Sequence, residues 1–383
     1  MRHDNSVFHQ VLKHVPWAVF DRLVDEHKAD RRVRRLTCKS QFLALLFAQL
    51  AGAASLREIE AGLRSHRARL YHLGGHCVAR TTLADANASR PAGLFADLFA
   101  HMASASRRTR RRMGDGVRIL DATRIELSSL SGGWLSATNG RHAVKLHIAY
   151  DPNADTPLDA EVTGERVNDI IPARVRPIEP GATYVFDLAY YDYAWWADLN
   201  ANGCRFVSRL KTHTRLDVTA QLPVPEGAAI LSESIGLLPQ RMACSRRNPF
   251  ADPVREITVR IATGKIIRLV TNDIDAPAEE IADLYKQRWQ IELFFKWIKQ
   301  NLKLRHFLGT SENAVRIQVF VALIAYILLR SAQAAQCAVR QPLAFARLVR
   351  LNLMHRRPIN ALHTPPPPPL SDPRQMKLDL VTC

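Results

Sequence analysis

The segment Val117-Arg-Ile-Leu-Asp121-Ala-Thr-Arg-Ile-Glu-Leu127 is an aliphatic and β-branched run broken at its centre by an acid. Such a run reads as a strand. A carboxylate inside a buried strand is expensive unless something pairs with it, so this strand must lie beside a cation, a metal or another polar element. The pattern recurs in Thr183-Tyr-Val-Phe-Asp187-Leu-Ala-Tyr-Tyr-Asp-Tyr193, a short apolar strand ending in Asp187 and followed by aromatic turn material, in which Asp192 is a weaker rival. Further on, Tyr285, Arg288, Glu292 and Lys299 fall at offsets 0, 3, 7 and 14. At about 100° per helical residue these offsets lie at roughly 0°, 300°, 340° and 320°, one stripe of a single helix. Leu284, Ile291, Phe295, Ile298 and Leu302 give that helix an apolar face, so it packs on a core with the stripe at the rim. The ordinary reading of one such stripe is a solvated face with i,i+4 pairing.

Asp121, Asp187 and Glu292 are thus two strand-borne carboxylates and one helix-borne carboxylate. Three acids converging from separate elements suit a pair of Mg²⁺ ions, which take oxygen ligands and keep positions open for water and phosphate. A phenol, a guanidinium and an ammonium beside them can hold phosphates.

The helix resembles the Tyr-x2-Arg-x3-Glu-x6-Lys motif of the insertion sequence 4 group of bacterial DDE transposases, and every motif position is matched. Lys145 and His147, in Asn139-Gly-Arg-His-Ala-Val-Lys145-Leu-His147-Ile-Ala-Tyr-Asp151, resemble the Lys-x-His strand that follows the first Asp of such enzymes. Residues from Asn5 to Leu63 are similar to the helical leader of many of them, so that the resemblance covers most of residues 3 to 335. It implies a ribonuclease H-like α/β core in which two acids sit on neighbouring strands and the third arrives on a later helix. It also implies two Mg²⁺ ions held by Asp121, Asp187 and Glu292, for which Mn²⁺ is expected to substitute. Tyr285, Arg288 and Lys299 would grip phosphates near the transposon end. The implied activity is cut-and-paste transposition: binding of terminal inverted repeats, metal-dependent cleavage and strand transfer into target DNA, by a homodimer on paired ends. Lys145 and His147 read equally as strand-edge packing or as DNA contacts. One position departs from the family: Ala189 stands where Asp-x-Gly is usual. Glycine there would admit φ > 0, which alanine accepts only at a cost. The alternative is therefore a decayed or repurposed protein that binds inverted repeats without cutting them.

Charge agrees with a polyanion partner. Lys plus Arg number 53 against 36 Asp plus Glu, a net of +17 in 383 residues, and such a surplus steers a protein towards nucleic acid. Residues 1–112 hold 20 Lys or Arg against 9 acids, +11 of that total. They read as a basic all-α DNA-binding unit: Val7 to His27 interrupted by Pro16, then Ser40 to Gly52, Ser55 to Arg64 behind a capping box, Thr81 to Ser89 and Ala92 to Ala103. Thr81 to Arg90 is either a helix that reads DNA or a packing helix. A cationic run, Arg107 to Arg112, closes the unit.

Residues 113–335 then read as the catalytic unit, with strands Val117 to Leu127, Ala143 to Asp151, Leu158 to Val162, Tyr184 to Asp187 and Arg205 to Leu210. Residues 212–271 are expected as a β-rich insertion, whose Arg241, Arg246, Arg247 and Lys265 suit a phosphate-facing surface and which carries no Trp. Residues 336–383 read as a basic helix and a proline-rich, partly disordered tail. The apolar run 317–329 is too short for a bilayer and reads as a buried helix, so no membrane is expected. The six scattered cysteines include no CxxC pair, which argues against a disulfide framework or zinc ribbon and fits a reducing cytoplasm at the nucleoid.

Overall fold

A computed structural model of the chain describes residues 5–70, 73–110, 116–131, 133–135, 142–224, 229–241, 247–302, 304 and 307–364, with backbone alone for 106–110. The N-terminal part is helical: α1 (Val7–Leu12), α2 (Trp17–Glu26), α3 (Cys38–Ala51), α4 (Leu56–Ser65), α5 (Arg67–Leu70), α6 (Arg80–Ser89) and α7 (Ala92–Arg110). Local chemistry sets the ends. Ser55 Oγ accepts from the Glu58 N–H at 3.2 Å, and Glu58 reaches back to the Ala54 N–H at 2.9 Å, one residue before the usual partner in a capping box. Gly52 ends α3 in the left-handed region at φ 76°, where the Arg350 side chain also crowds the space a Cβ would take.

The strands are β1 (Val117–Leu127), β2 (His142–Asp151), β3 (Thr156–Gly164), β4 (Thr183–Val185), β5 (Arg205–Arg209), β6 (Asp217–Leu222), β7 (Ile230–Leu237), β8 (Val254–Arg260) and β9 (Ile266–Thr271). They form one sheet in the order β3-β2-β1-β4-β5-β9-β8-β7-β6. β1, β4 and β5 run parallel, β2 and β3 are antiparallel, and β9 to β6 continue the sheet antiparallel beyond β5. The segment expected as an insertion is thus an extension of the same sheet. β6, an Asp-Val-Thr-Ala-Gln-Leu alternation with five of its six residues exposed, forms the far edge of that extension.

Helices α8 (Ile170–Val175) and α9 (Tyr193–Ala201) lie between strands, and α10 (Ala278–Gln287), α11 (Trp289–Asn301), α12 (Glu312–Ala334) and α13 (Pro342–Asn352) follow the sheet. One sheet face packs Leu120, Tyr184, Phe186 and Phe206 on Trp195 and Trp196 of α9. The other packs Ile119, Leu146, Ile148, Val185 and Val207 into a cluster that includes Ile291 and Ile298 of α11, all of the middle of α12, and the N-terminal helices from Val7 onward. α12 is therefore the shared spine of sheet and leader. At 23 residues it is long and apolar enough to cross a membrane, and 83% of that stretch is buried in the fold. Burial, more than length, makes it a core helix.

The C-terminal part docks on the first helix: the Val7 and Phe8 N–H groups donate to His355 and Leu353 carbonyls at 3.0 and 2.7 Å. Phe345 and Val349 of α13 are buried. The proline tract after Thr364 lies outside the described residues, as do the side chains of the Arg107–Arg112 run.

Candidate active site

β1 and β4 pair in parallel with Ile119 opposite Val185. Two residues on, the same register sets Asp121 level with Asp187, and the period-2 alternation of strands points both to the face that packs on α11. The Asp121 side chain is 18% exposed, and its Oδ1 accepts the Ala122 N–H at 2.8 Å. Asp187 leads a 3₁₀ turn, Leu188–Tyr190, accepting the Ala189 N–H at 2.9 Å. Ala189 is not among the residues with positive φ. The strain expected from the missing glycine is absent, because the turn curls with ordinary right-handed geometry. Asp192 has a different job: it caps α9 by accepting the Trp195 N–H at 2.9 Å and pairs with Arg174.

Glu292 lies in the first turn of α11. Arg288 ties it to the strand, donating to Glu292 Oε1 at 2.6 Å while its other amino group sits 3.5 Å from Asp121 Oδ2. Burial pushes the Asp121 carboxyl up to about 7; the Ala122 hydrogen bond and Arg288 oppose this, and the charges of Asp187 and Glu292 add to it. The three carboxylates therefore share one electrostatic environment. Burial works against the charge of Arg288, yet its pKa is raised, since the bond to Glu292 and the charges of Tyr285, Asp121 and Glu292 outweigh it.

The expected single helix is interrupted at Arg288, which separates α10 from α11. Bonds from the Arg288 N–H to Tyr285 O (3.1 Å) and from the Ile291 N–H to Arg288 O (3.3 Å) tighten the chain there to i→i−3 spacing. Tyr285 stays beside Arg288, its ring centroid 5.8 Å from the guanidinium carbon, and burial raises its phenol pKa. Lys299 reaches the strand, donating to Thr123 Oγ1 at 2.6 Å and Arg124 O at 2.7 Å. Thr123 is two residues from Asp121, hence on the same face.

Among the described residues no group of three His, Cys, Asp or Glu stands close enough to hold a metal ion, and the Arg288 guanidinium lies between Asp121 and Glu292. The donor set nevertheless fits an oxygen-preferring divalent cation: three carboxylates, one of them pushed up to about 7 mainly by burial and further by the charges of the other two.

The structure takes Lys145 and His147 elsewhere. Ala122 faces His147 and Arg124 faces Lys145 in the β1–β2 register, so both point to the face opposite Asp121. Lys145 Nζ bonds Asp169 at 2.8 Å and the Val167 carbonyl at 2.9 Å. His147, 2% exposed, shares a hydrogen with Thr163 at 2.8 Å. Burial lowers its pKa to about 4. Arg241 and Arg247 are exposed and bridge through their backbones, while Arg246 lies outside the described residues.

Sequence reading missed Arg209. The β4–β5 register sets it level with Asp187 on the next parallel strand, and its buried Nε has no partner among the described residues. Its position at the end of an apolar strand, like that of Asp187, was the available signal. Trp289 and Leu293, 57% and 51% exposed, flank Glu292 on α11.

Comparison with known proteins bears on this geometry. Residues 112–328 match the family model described as a transposase DDE domain, and residues 3–76 match one described as a domain of unknown function (DUF4372). The chain is 41% identical over 290 residues to a putative transposase, y4zB, of Sinorhizobium fredii, covering 74% of this chain and 80% of that one. It is 32% identical over 234 residues to a probable transposase for insertion sequence element IS5377 of Geobacillus stearothermophilus, covering 60% of each. A shorter match, 36% over 84 residues, joins it to the transposase InsG for insertion sequence element IS4 of Escherichia coli, covering 20% of this chain and 19% of that one. With 217 residues under the DDE model and relatives of this kind, the chain belongs to the DDE transposases of bacterial insertion sequences.

Proposed function

We propose that this transposase binds the terminal inverted repeats of its element as duplex DNA, cuts at their boundary and joins the freed ends to target DNA by cut-and-paste, as a dimer on paired ends. The observation that carries the reading is the convergence of Asp121, Asp187 and Glu292 on one face of the sheet. The strand order β3-β2-β1-β4-β5 with β2 antiparallel supports a ribonuclease H-like core beneath it. Asp121, Asp187 and Glu292 would hold divalent metal, Mg²⁺ or Mn²⁺. Two such ions, when bound, supply an activated oxygen nucleophile and a stabilised 3′-oxygen leaving group.

The protein's own groups do the rest. Asp121, at the centre of β1 between two paired strands, would hold metal from a fixed backbone. Arg288 offers a planar fork to a phosphate once its carboxylates are otherwise neutralised, and Tyr285 braces it. Lys299, anchored on Thr123, fixes α11 against β1 and presents a point charge at the strand end. Nothing in this arrangement distinguishes a water from a DNA 3′-hydroxyl as attacking group, so one site can serve cleavage and joining. The alternative of a decayed DNA-binding protein drew its support from Ala189, whose backbone is unstrained.

The test is Mg²⁺-dependent cleavage of a duplex carrying the element's inverted repeat, for wild type and Glu292→Gln. Nicking at the repeat boundary, lost in the variant while binding persists, supports the reading. Binding without cleavage by either protein would overturn it in favour of a repurposed DNA-binding protein.

A further inference from the structure

The turn between α2 and α3 carries Lys28, Arg31, Arg32, Arg34 and Arg35, all exposed. It lines one side of a groove of about 750 Å³ whose other side is α6, through Thr82, Asp85 and Ser89. No ion pair to any of these five cations is formed within the described residues, and Asp85 is the one acid in the groove's lining. Five cations crowded on eight residues repel one another, and a turn that needed only to be soluble would be free to spread them.

This turn is instead fixed. Lys28 and Arg32 sit at φ 49° and 64°, a left-handed geometry that L-residues hold only when their surroundings impose it. The surroundings are a buried polar network at the root of the turn. Asp30 accepts the Cys38 N–H at 2.7 Å and lies 3.9 Å from Arg90. Arg90, 7% exposed, donates to the Leu36 carbonyl and to Gln41 Oε1 at 3.2 Å. Gln41 in turn donates to Asn87 Oδ1 at 2.7 Å. Asn313 of α12 closes the network on the Asn87 and Arg90 carbonyls and on the Ala92 N–H. The backbone that carries the exposed arginines is thus held in one arrangement, registered against α6 and, through Asn313, against the helix that also underlies the sheet.

We infer that this arginine turn and the exposed side of α6 form a preorganised clamp for the backbone phosphates of duplex DNA, separate from the carboxylate site. Planar guanidinium forks carried on a backbone fixed in advance meet phosphate oxygens without the turn having to be ordered first. A run of cations beside a helix with an exposed Thr and Ser edge matches a polyanion whose charges recur at regular spacing better than it matches a small anion. The inference rests on the DNA-binding reading above and adds where the leader grips.

The test uses the full chain with Arg31, Arg32, Arg34 and Arg35 all changed to Gln, with thermal unfolding as a check of fold, and the pairs Arg31→Gln/Arg32→Gln and Arg34→Gln/Arg35→Gln as milder variants. Binding to a duplex bearing the inverted repeat is followed by fluorescence anisotropy across a salt series. Each lost phosphate contact lowers the slope of log K against log salt by about 0.9, so the quadruple variant is expected to lose about 3 to 4 and each pair about half of that. A folded quadruple variant with the wild-type slope overturns the inference and leaves the DNA reading standing. A wild type with no salt-dependent affinity for duplex DNA removes both. Loss of binding to phosphatidylglycerol vesicles with DNA binding intact would assign the turn to a lipid surface and also overturns it.

Discussion

The two faces of the sheet at β1 carry nearly the same kinds of residue and treat them oppositely. On the face away from α11, charges are settled locally: Lys145 and His147 lie against Asp169, and Arg124 against Glu165 at 2.5 Å. On the α11 face, Asp121 and Glu292 share a single guanidinium, and no cation of the described residues lies within 4 Å of Asp187. Burial, with the charges of Asp187 and Glu292, pushes the Asp121 carboxyl up to about 7 against the opposing charge of Arg288. Strand-borne charge is therefore a poor guide by itself. What separates a structural ion pair from a site is whether the compensating charge is already built in.

The largest effect that bears on this contrast is chemical. Asp121→Asn keeps the shape of the side chain and is expected to reduce DNA cleavage at least about a thousandfold, several kcal/mol of transition-state stabilisation, with little loss of thermal stability. Cleavage within tenfold of wild type would erase the distinction between the faces. Asp169→Asn should do the reverse. It leaves Lys145 uncompensated in a half-buried place and is expected to destabilise the fold by about 2–3 kcal/mol, while each folded molecule still cuts DNA; denaturant unfolding beside cleavage assays checks both halves.

A pH series sharpens the same comparison. His147 titrates near 4 in the fold and near 6.5 when unfolded, so the unfolded chain takes up the proton first. Its contribution to stability is present above about 6.5 and is lost as pH falls through 4, on the order of 2 kcal/mol. Asp121 works in the opposite sense, with a folded pKa above its unfolded value, so stability from that group falls as pH rises through 7. Comparing wild type with His147→Gln cancels the Asp121 contribution, and melting temperatures of the two proteins should converge as pH is lowered from 7 to 4. Parallel curves would mean that His147 is not buried neutral. The smallest expected effect is that of Ala189→Gly. With no positive φ to relieve, it should cost stability by about 0.4–1 kcal/mol and leave cleavage unchanged; a gain of tenfold or more in cleavage would restore the case for a damaged turn.

Most of the elements were legible because their signals are local. Pro16 breaks the first helical pattern, Ser55 and Glu58 mark the start of α4, and the aliphatic run of β1 matches its expected span from Val117 to Leu127. The carboxylates were legible because an acid in an apolar strand needs an explanation, and Asp121 and Asp187 each interrupt one. The face on which a residue lies was not. Lys145 and His147 share a strand that neighbours Asp121, yet only the β1–β2 register, a long-range property, sends them to the other side. Arg209 was missed for a related reason: it becomes part of the site through pairing of β5 with β4. The break at Arg288 escaped the periodicity argument because a single tightened turn shifts the helix phase too little to disturb a four-residue pattern. The network that fixes the arginine turn joins residues up to 226 positions apart and leaves no trace in any window of sequence.

On the proposed reading, one face of this sheet holds a metal-dependent site for DNA cleavage and joining and the other does not. The direct measurement is strand transfer of a pre-cut inverted-repeat duplex into plasmid DNA with Mg²⁺, for Asp187→Asn and Asp169→Asn in parallel with wild type. Product is expected from wild type and from folded Asp169→Asn, and none from Asp187→Asn although it still binds the repeat. Transfer by Asp187→Asn at the wild-type rate, or its loss in both variants at full folding, would contradict it.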